Sequence, residues 1–458
     1  MSEQSQELGT PIGAAHFGIH RIYVQDLFGR YTYDLNNNQP SPETSRLMIL
    51  YGENGSGKTT LLRVIVNLLS HVDGKGHKAR VADVKFRHFL IGIGDFRVEA
   101  IRTDLEERGF TARVSGASGI LAEAEYYTED SENKAERERR HKEFLKKLQG
   151  INVGLFFLAD DRKVTSNVLT ELDDAPPTEE IYWAAESGVR VPTLFHEQSA
   201  ARRRKAADKV LENAVARVSS WATTKAVTGS TQGEEDVNSI YSRVIQQLSK
   251  GSGRRHADAM PTVDALISTL QEQYQRSLTF SQFGLASPPK LDRLLSSVGK
   301  APKGARDAIA KVLGPYVDSL KARLDALQGV QNSISSFVES INSFYTDKTV
   351  GFDLRQGLTI RTREGNSLKP TMLSSGERQL LLLFCNTLVA KERPSIFIID
   401  EPELSLNVKW QRQLVSSLLA ATKDSLMQFI LATHSIELLT RHREYVVELS
   451  EGREALSE

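Results

Sequence analysis

Several broad classes are excluded by what the chain has little of. It holds one cysteine, Cys385, in 458 residues, which rules out an internal disulfide and a cysteine-based metal site and suits a reducing compartment. Cys385 sits inside the apolar run LLLLFCNTLVA, the setting of a packed thiol rather than a reactive one. Neither charge sign is in excess: 58 Lys and Arg balance 58 Asp and Glu. No whole-molecule field therefore draws the protein to nucleic acid, and any such contact must come from a local patch. No run reaches eighteen apolar residues, and the opening MSEQSQELGTPIGAA lacks the charged start and apolar stretch of a signal peptide. The expectation is a soluble cytoplasmic protein without a membrane partner. With 40% hydrophobic and 25% charged residues the composition is that of an ordinary globular chain, long enough for two or three domains.

Against this plain background one stretch stands out. Residues 52–60 read GENGSGKTT directly after the apolar run Leu47, Met48, Ile49, Leu50 and Tyr51. They fit G-x-x-x-x-G-K-[ST] through Gly52, Gly57, Lys58 and Thr59, between a strand-like and a helix-like segment, which is the context a phosphate-binding loop needs. Glycines let the backbone wrap phosphate oxygens, and free amides at a helix start add positive potential. The expected nucleotide contacts are Glu53, Asn54, Gly55, Ser56, Gly57, Lys58, Thr59 and Thr60. Lys58 would reach the β and γ phosphates of ATP, and the Thr59 hydroxyl would hold Mg²⁺.

In chain order, residues 19–24 and 31–35 read as two strands of a lead-in hairpin, the second alternating Tyr31, Tyr33 and Leu35. A loop is expected over 71–79, then strands over 81–89 and 96–103. Residues 129–147 carry mixed charge at helical density, a solvated helix face. A short apolar strand over 155–158 ends in Ala159, Asp160, Asp161 and Arg162. Strand ends are where ligands bind in α/β sheets, so Asp160, Asp161 and Arg162 are either a nucleotide-sensing loop or a strand-end ion pair. From about 166 to 345 the pattern is helical with polar breaks. Its most regular part steps through Val317, Leu320, Leu324, Leu327, Val330, Ile334, Phe337, Ile341 and Phe344, a seam for intramolecular packing or for a partner helix. Strand patterns return at 349–353 and 358–361. The domains expected are thus 1–165, 166–345 and 346–458.

The last segment completes a site. Ser374 and Glu377 match the S-x-x-E capping box, so Ser375 and Gly376 open a helix whose N-terminus could meet an anion. Ile396, Phe397, Ile398 and Ile399 form the continuous apolar run of a central parallel strand, with Asp400 and Glu401 at its end. Asp400 would accept the metal shell, and Glu401 would polarise the attacking water. A further strand over 429–431 leads to Thr433, His434 and Ser435, and His434 is placed at the γ-phosphate.

The succession GENGSGKTT, LSSGE, IFIIDEPELSL and LATHS resembles the ABC-type ATPase superfamily, in the branch of SMC, RecF and OLD-like proteins. That resemblance implies an α/β P-loop ATPase head in two lobes with a long helical, coiled-coil-like insertion. It implies ATP and Mg²⁺ as cofactors, Glu401 as general base, and His434 as switch histidine. It implies a head-to-tail homodimer, possibly higher oligomer, in which Ser374, Ser375, Gly376 and Glu377 of one subunit close on nucleotide held by the other. Residues 403–407 would cross that interface. Asn407 and Ile436 depart from the S-L-H and T-H-S-P strings usual in OLD-like members. The lead-in LFGRYTYDL, the insertion and LSSGERQLLLLF most resemble ATPase subunits of bacterial antiphage defence systems of the PARIS and Septu types. Since OLD nucleases carry a Toprim domain after the histidine and little chain follows His434, a separate effector is implied, a Toprim-like or other nuclease, with a phage protein or DNA as trigger. The alternative is a DNA repair or chromosome-associated ATPase.

Overall fold

The computed structural model describes residues 17–36, 46–127, 134–159, 164–166, 205, 207–229, 262–299 and 302–449. It divides into two compact units, one of 1–210 with 390–458 and one of 211–389. The sequence pattern groups 346–389 with 390–458, whereas the contacts join 346–389 to the helical residues before them. The reason lies in the packing around Phe344 described below.

The first unit opens with β1 (Ile19–Leu27) and β2 (Tyr31–Asn36), antiparallel as the alternation predicts. The strand β3 (Leu47–Tyr51) leads into α1 (Lys58–Leu69). A short helix α2 (His77–Ala82) follows, where the pattern predicts loop and then strand, and β4 begins only at His88 (His88–Ile93). A tertiary contact decides this. Lys78 turns inward, and its ammonium donates to the carbonyls of Asn67 at 2.9 Å, Leu68 at 2.7 Å and Ser70 at 3.0 Å. It thereby caps the free carbonyls at the end of α1. Burial lowers its pKa to about 7. The strands β5 (Phe96–Ile101), β6 (Phe110–Gly116) and β7 (Gly119–Tyr126) complete a six-stranded sheet in the order β2-β1-β4-β5-β6-β7. The mixed-charge helix α3 (Lys134–Gly150) buries only Phe144, Leu145 and Leu148, with Phe144 edge-on to Tyr126. Two further strands, β8 (Gly154–Leu158) and β9 (Val164–Ser166), follow.

The second unit is a helical body with a small sheet. It contains α4 from residue 211 onward (the helix is described over 207–229), α5 (Val263–Ser281), α6 (Leu291–Gly299) and the 39-residue α7 (Arg306–Phe344). The seam on α7 packs inside the chain: Leu266 and Leu270 of α5 and Leu291 of α6 cluster with Leu313 and Val317. Arg276 of α5 reaches Gln328 of α7 at 3.1 Å. Next come β10 (Lys348–Asp353), β11 (Gly357–Thr362) and β12 (Ser367–Leu368), an antiparallel sheet. The helix α8 (Ser375–Ala390) then lays Phe384 against Phe344, ring centroids 5.8 Å apart. That contact joins the segment after residue 345 to the helices.

The chain returns to the first unit through β13 (Ser395–Asp400), α9 (Val408–Ala421), β14 (Met427–Ala432), α10 (Ile436–Arg441) and β15 (Val446–Glu448). The second six-stranded sheet runs β15-β3-β14-β13-β8-β9, parallel except at β9. Every residue of β8, β13 and β14 is buried, which is why these strands read as unbroken apolar runs rather than alternations. On one face Phe397 stacks on Phe156, centroids 4.7 Å apart. On the other, Ile396, Ile398 and Ile430 join Leu61, Leu62 and Ile65 of α1 in the main core. Gln428 links this sheet to the first one, accepting from Ile19 N and donating to Ile19 O, both at 2.8 Å. Among the described residues no helix is long and apolar enough to cross a membrane.

Candidate functional site

Strand register brings the site together. Leu50 of β3 pairs with Ala432 of β14, and Ala432 pairs with Asp400 of β13. The three parallel strands therefore end in one row, and the segments that follow them leave the same edge of the sheet, where α/β folds bind ligands. These are the glycine-rich loop after Tyr51, the acidic pair at the end of β13, and the turn 433–435. Hydrogen bonds extend the row beyond the ladder, from Thr433 N to Leu50 O at 3.2 Å and from Glu401 N to Ala432 O at 2.9 Å.

The loop is exposed at Glu53, Asn54 and Gly55 and buried at Ser56 and Lys58. Gly57 caps α1 at φ +89, and a Cβ there would meet Leu27 Cδ2 at 2.9 Å and Phe28 Cε2 at 3.0 Å. Only glycine fits both the dihedral and the space. The lead-in hairpin thus shapes the loop, and the buried Tyr33 hydroxyl donates to Ser56 O at 3.0 Å. Beside it, the Arg30 guanidinium lies over the Tyr31 ring at 4.8 Å. The Lys58 ammonium donates to Gly52 O at 2.8 Å and Glu53 O at 3.0 Å. Burial lowers the pKa of Lys58, while Glu401, Asp400 and Glu403 act to raise it.

Asp400 is 2% exposed. Glu401 follows with φ +48, a left-handed conformation uncommon for a side chain of this kind. Burial pushes its pKa up to about 8, helped by a hydrogen bond to Glu403 and the charges of Glu403 and Asp400 and opposed by Lys58. His434 Nε2 stands 3.4 Å from Glu401 Oε1. Burial and then the Lys58 charge lower the histidine's pKa, against Glu403. One residue was not anticipated inside the site: Glu403 accepts from Thr433 Oγ1, His434 N and Ser435 N through a single oxygen. Its only sequence signal is a second acid two residues after Glu401. Asn407 is the N-cap of α9, accepting from Trp410 N at 2.9 Å.

The signature stretch lies in the other unit. The capping box forms, with Ser374 N donating to Glu377 Oε2 at 2.8 Å and Glu377 N to Ser374 Oγ at 3.4 Å. Burial would raise the Glu377 pKa, but the Lys348 ammonium at 2.8 Å and the Ser374 bonds outweigh it and hold it low. Tyr345 donates to Glu377 O at 2.7 Å. Ser374 and Ser375 are exposed at the helix start. Asp160, Asp161 and Arg162 lie outside the described residues.

The residues present fit a nucleotide with its divalent cation. The Ser56 hydroxyl is buried without a hydrogen-bond partner beside the glycines. Thr59 and Asp400 offer hard oxygen donors, and among the described residues no group of three His, Cys, Asp or Glu forms a metal cage. Hard oxygens of this kind suit Mg²⁺, which keeps further ligand positions for phosphate and water.

Over 123 residues the chain is 28% identical to the DNA double-strand break repair Rad50 ATPase of Sulfurisphaera tokodaii, covering 26% of this chain and 14% of that protein. Over 91 residues it is 38% identical to the molybdenum import ATP-binding protein ModC of Pasteurella multocida, covering 19% of this chain and 25% of that protein. The chain thus spans a quarter or less of the length of these two curated relatives. Among solved structures, the Smc head domain with an extended coiled coil bound to the C-terminal domain of ScpA, derived from Pyrococcus furiosus, is similar. It shows 13% identity, a TM-score of 0.37, and coverage of 94% of this chain and 95% of that one. A family profile matches residues 201–440, just over half of the chain, spanning the signature stretch, the acidic pair and His434. On that match the chain belongs to the family described as "AAA domain, putative AbiEii toxin, Type IV TA system".

Proposed function

We propose that the protein binds ATP with Mg²⁺ and hydrolyses it to ADP and phosphate. The observation that carries this reading is the single sheet edge that gathers the glycine-rich loop, the Asp400 and Glu401 pair, and His434. Lys58 neutralises the β and γ phosphates, and the Thr59 hydroxyl and Asp400 carboxylate would hold the cation. The cation, when bound, offsets charge building on the phosphates. Glu401 orients a water and takes its proton, and His434 donates toward the γ-phosphate. The Rad50 and ModC likenesses support nucleotide chemistry.

In this reading two copies close head to tail, with Ser374, Ser375, Gly376 and Glu377 of one copy completing the nucleotide site of the other. ATP stabilises the closed arrangement and hydrolysis resets it. The ATPase serves as a cytoplasmic sensor and scaffold of a bacterial antiphage system that holds and releases a separate effector, a nuclease, in answer to a phage protein or DNA. The family's description within a Type IV TA system supports work alongside a second component.

The tests are phosphate release by the purified chain with ATP and Mg²⁺, and mass photometry of Glu401→Gln with ATP, where a dimer is expected. No ATP binding would sink the reading, and a monomer at saturating ATP would sink the head-to-tail part. Capture from the native host should recover the effector.

A second reading, a DNA repair ATPase, is favoured by the Rad50 likeness. It predicts DNA binding by the purified chain that weakens steeply with salt. Tight binding at physiological salt would favour it over the defence reading.

A further inference from the structure

Glu403 has no part in the chemistry above, yet it joins two of the segments that carry it. Its Oε1 accepts from three successive residues beyond β14: Thr433 Oγ1 at 2.6 Å, His434 N at 2.9 Å and Ser435 N at 3.0 Å. Ser435 N also donates to Thr433 Oγ1 at 2.9 Å, so the turn closes on itself. The amides of His434 and Ser435 lie past the last ladder pair, Asp400 with Ala432. Buried amides beyond a ladder need acceptors, and a carboxylate is a strong one.

The turn that carries Glu403 is itself constrained. Leu404 N donates to Glu401 O at 3.1 Å and Leu406 N to Glu403 O at 2.9 Å, with φ values of +48 at Glu401 and +69 at Ser405. A second tie runs alongside. Ser435 Oγ donates to Gln411 Oε1 at 2.8 Å, and Gln411 Nε2 donates to Leu406 O at 2.9 Å. The histidine turn is therefore held to the 401–406 turn from two sides. Strand register fixes Asp400 opposite Ala432, but it leaves undetermined the spacing of Glu401, one residue further on, and His434, two residues further on.

We infer that Glu403 is a positioning residue: it ties the 433–435 turn to the turn after β13 and so sets the 3.4 Å spacing of His434 Nε2 and Glu401 Oε1. It also hydrogen-bonds the Glu401 carboxyl, so it acts through Glu401 and the histidine turn together. Its consequence for turnover rests on the hydrolysis reading, while the tether itself is measurable without turnover. Misplacing a reacting group by about 1 Å costs up to about a hundredfold in rate.

The test uses the full nucleotide-free chain as parent, Glu403→Ala and Glu403→Gln, with melting curves to establish folding. Glutamine keeps an acceptor oxygen at the same reach, and alanine removes it. Hydrogen exchange at the His434 and Ser435 amides should be about tenfold or more faster in Glu403→Ala and within about threefold of parent in Glu403→Gln. With ATP and Mg²⁺, Glu403→Ala should lose about ten- to a hundredfold in kcat while its ATP Kd stays within about threefold, and Glu403→Gln should recover most of that loss. If Glu403→Ala does not fold, Glu403→Met keeps the stem without the acceptor and carries the same expectation. Unchanged exchange in Glu403→Ala overturns the inference, as does exchange in Glu403→Gln as fast as in Glu403→Ala. Loss of ATP affinity in step with kcat would overturn it in favour of a binding role. A folded parent without ATPase activity would overturn the hydrolysis reading, and the exchange rates would still decide the tether.

Discussion

His434 Nε2 and Glu401 Oε1 lie 3.4 Å apart at the ends of two neighbouring parallel strands. Burial and the Lys58 charge hold the imidazole's pKa low, which favours the neutral form with one N–H to give. Glu401→Gln should keep ATP affinity and lose about a hundredfold or more in kcat, and His434→Ala about ten- to a hundredfold. Phosphate release and nucleotide titration measure both. A Glu401→Gln protein at full speed would refute the general-base role.

Lys58 is 5% exposed and is bonded to two carbonyls of its own loop. Lys58→Ala should weaken ATP binding by about a hundredfold or more. It should also lower the melting temperature, because the carbonyls of Gly52 and Glu53 lose their charged donor. Calorimetric titration and a melting scan separate the two effects; unchanged ATP affinity would contradict the phosphate assignment.

Burial pushes the Glu401 pKa up to about 8, against about 4.3 for a free glutamate. Between these values the folded chain binds a proton that the unfolded chain lacks, so the stability Glu401 contributes is full below the lower value and is lost as pH rises through about 8. Melting temperatures from pH 5 to 9 should therefore fall more steeply in the parent than in Glu401→Gln, which has no proton to lose. Parallel curves would contradict the shift.

Gln428 is 1% exposed and bonds both backbone groups of Ile19. Gln428→Ala leaves a buried N–H and C=O without that partner, a cost of about 1–3 kcal/mol for each. Gly18→Ala should act in the same direction, since its φ is +103 and an added Cβ would meet the Gln428 side chain at 2.9 Å. Chemical denaturation would measure both, and a neutral Gln428→Ala would show that the amide does not join the sheets energetically.

In the other unit, Ser374→Ala removes the hydroxyl half of the capping box on α8. The expected loss is about 1 kcal/mol. Denaturation followed at that unit, with ATP affinity as control, checks it; full stability would mean that Glu377 alone caps the helix.

The short-range patterns of the candidate site were legible before the fold. Glycines before a lysine, an apolar run closed by Asp400 and Glu401, and the S-x-x-E spacing are short-range patterns, and each constrains its own backbone through sterics, burial or a local hydrogen bond. The strands β3, β13 and β14 followed for the same reason, because a strand buried on both faces must be apolar throughout. Long-range contacts decided the rest. Residues 77–82 became a helix while Lys78 capped α1, and residues 346–389 joined the helical unit while Phe384 packed on Phe344. Glu403 read as the first residue of a loop, 403–407, expected to cross a dimer interface; its bonds to Thr433, His434 and Ser435 came only with the parallel pairing of β13 and β14. Sequence spacing sets which groups a turn can offer; only the packing of distant strands sets which groups meet, because that depends on register and burial across hundreds of residues of chain.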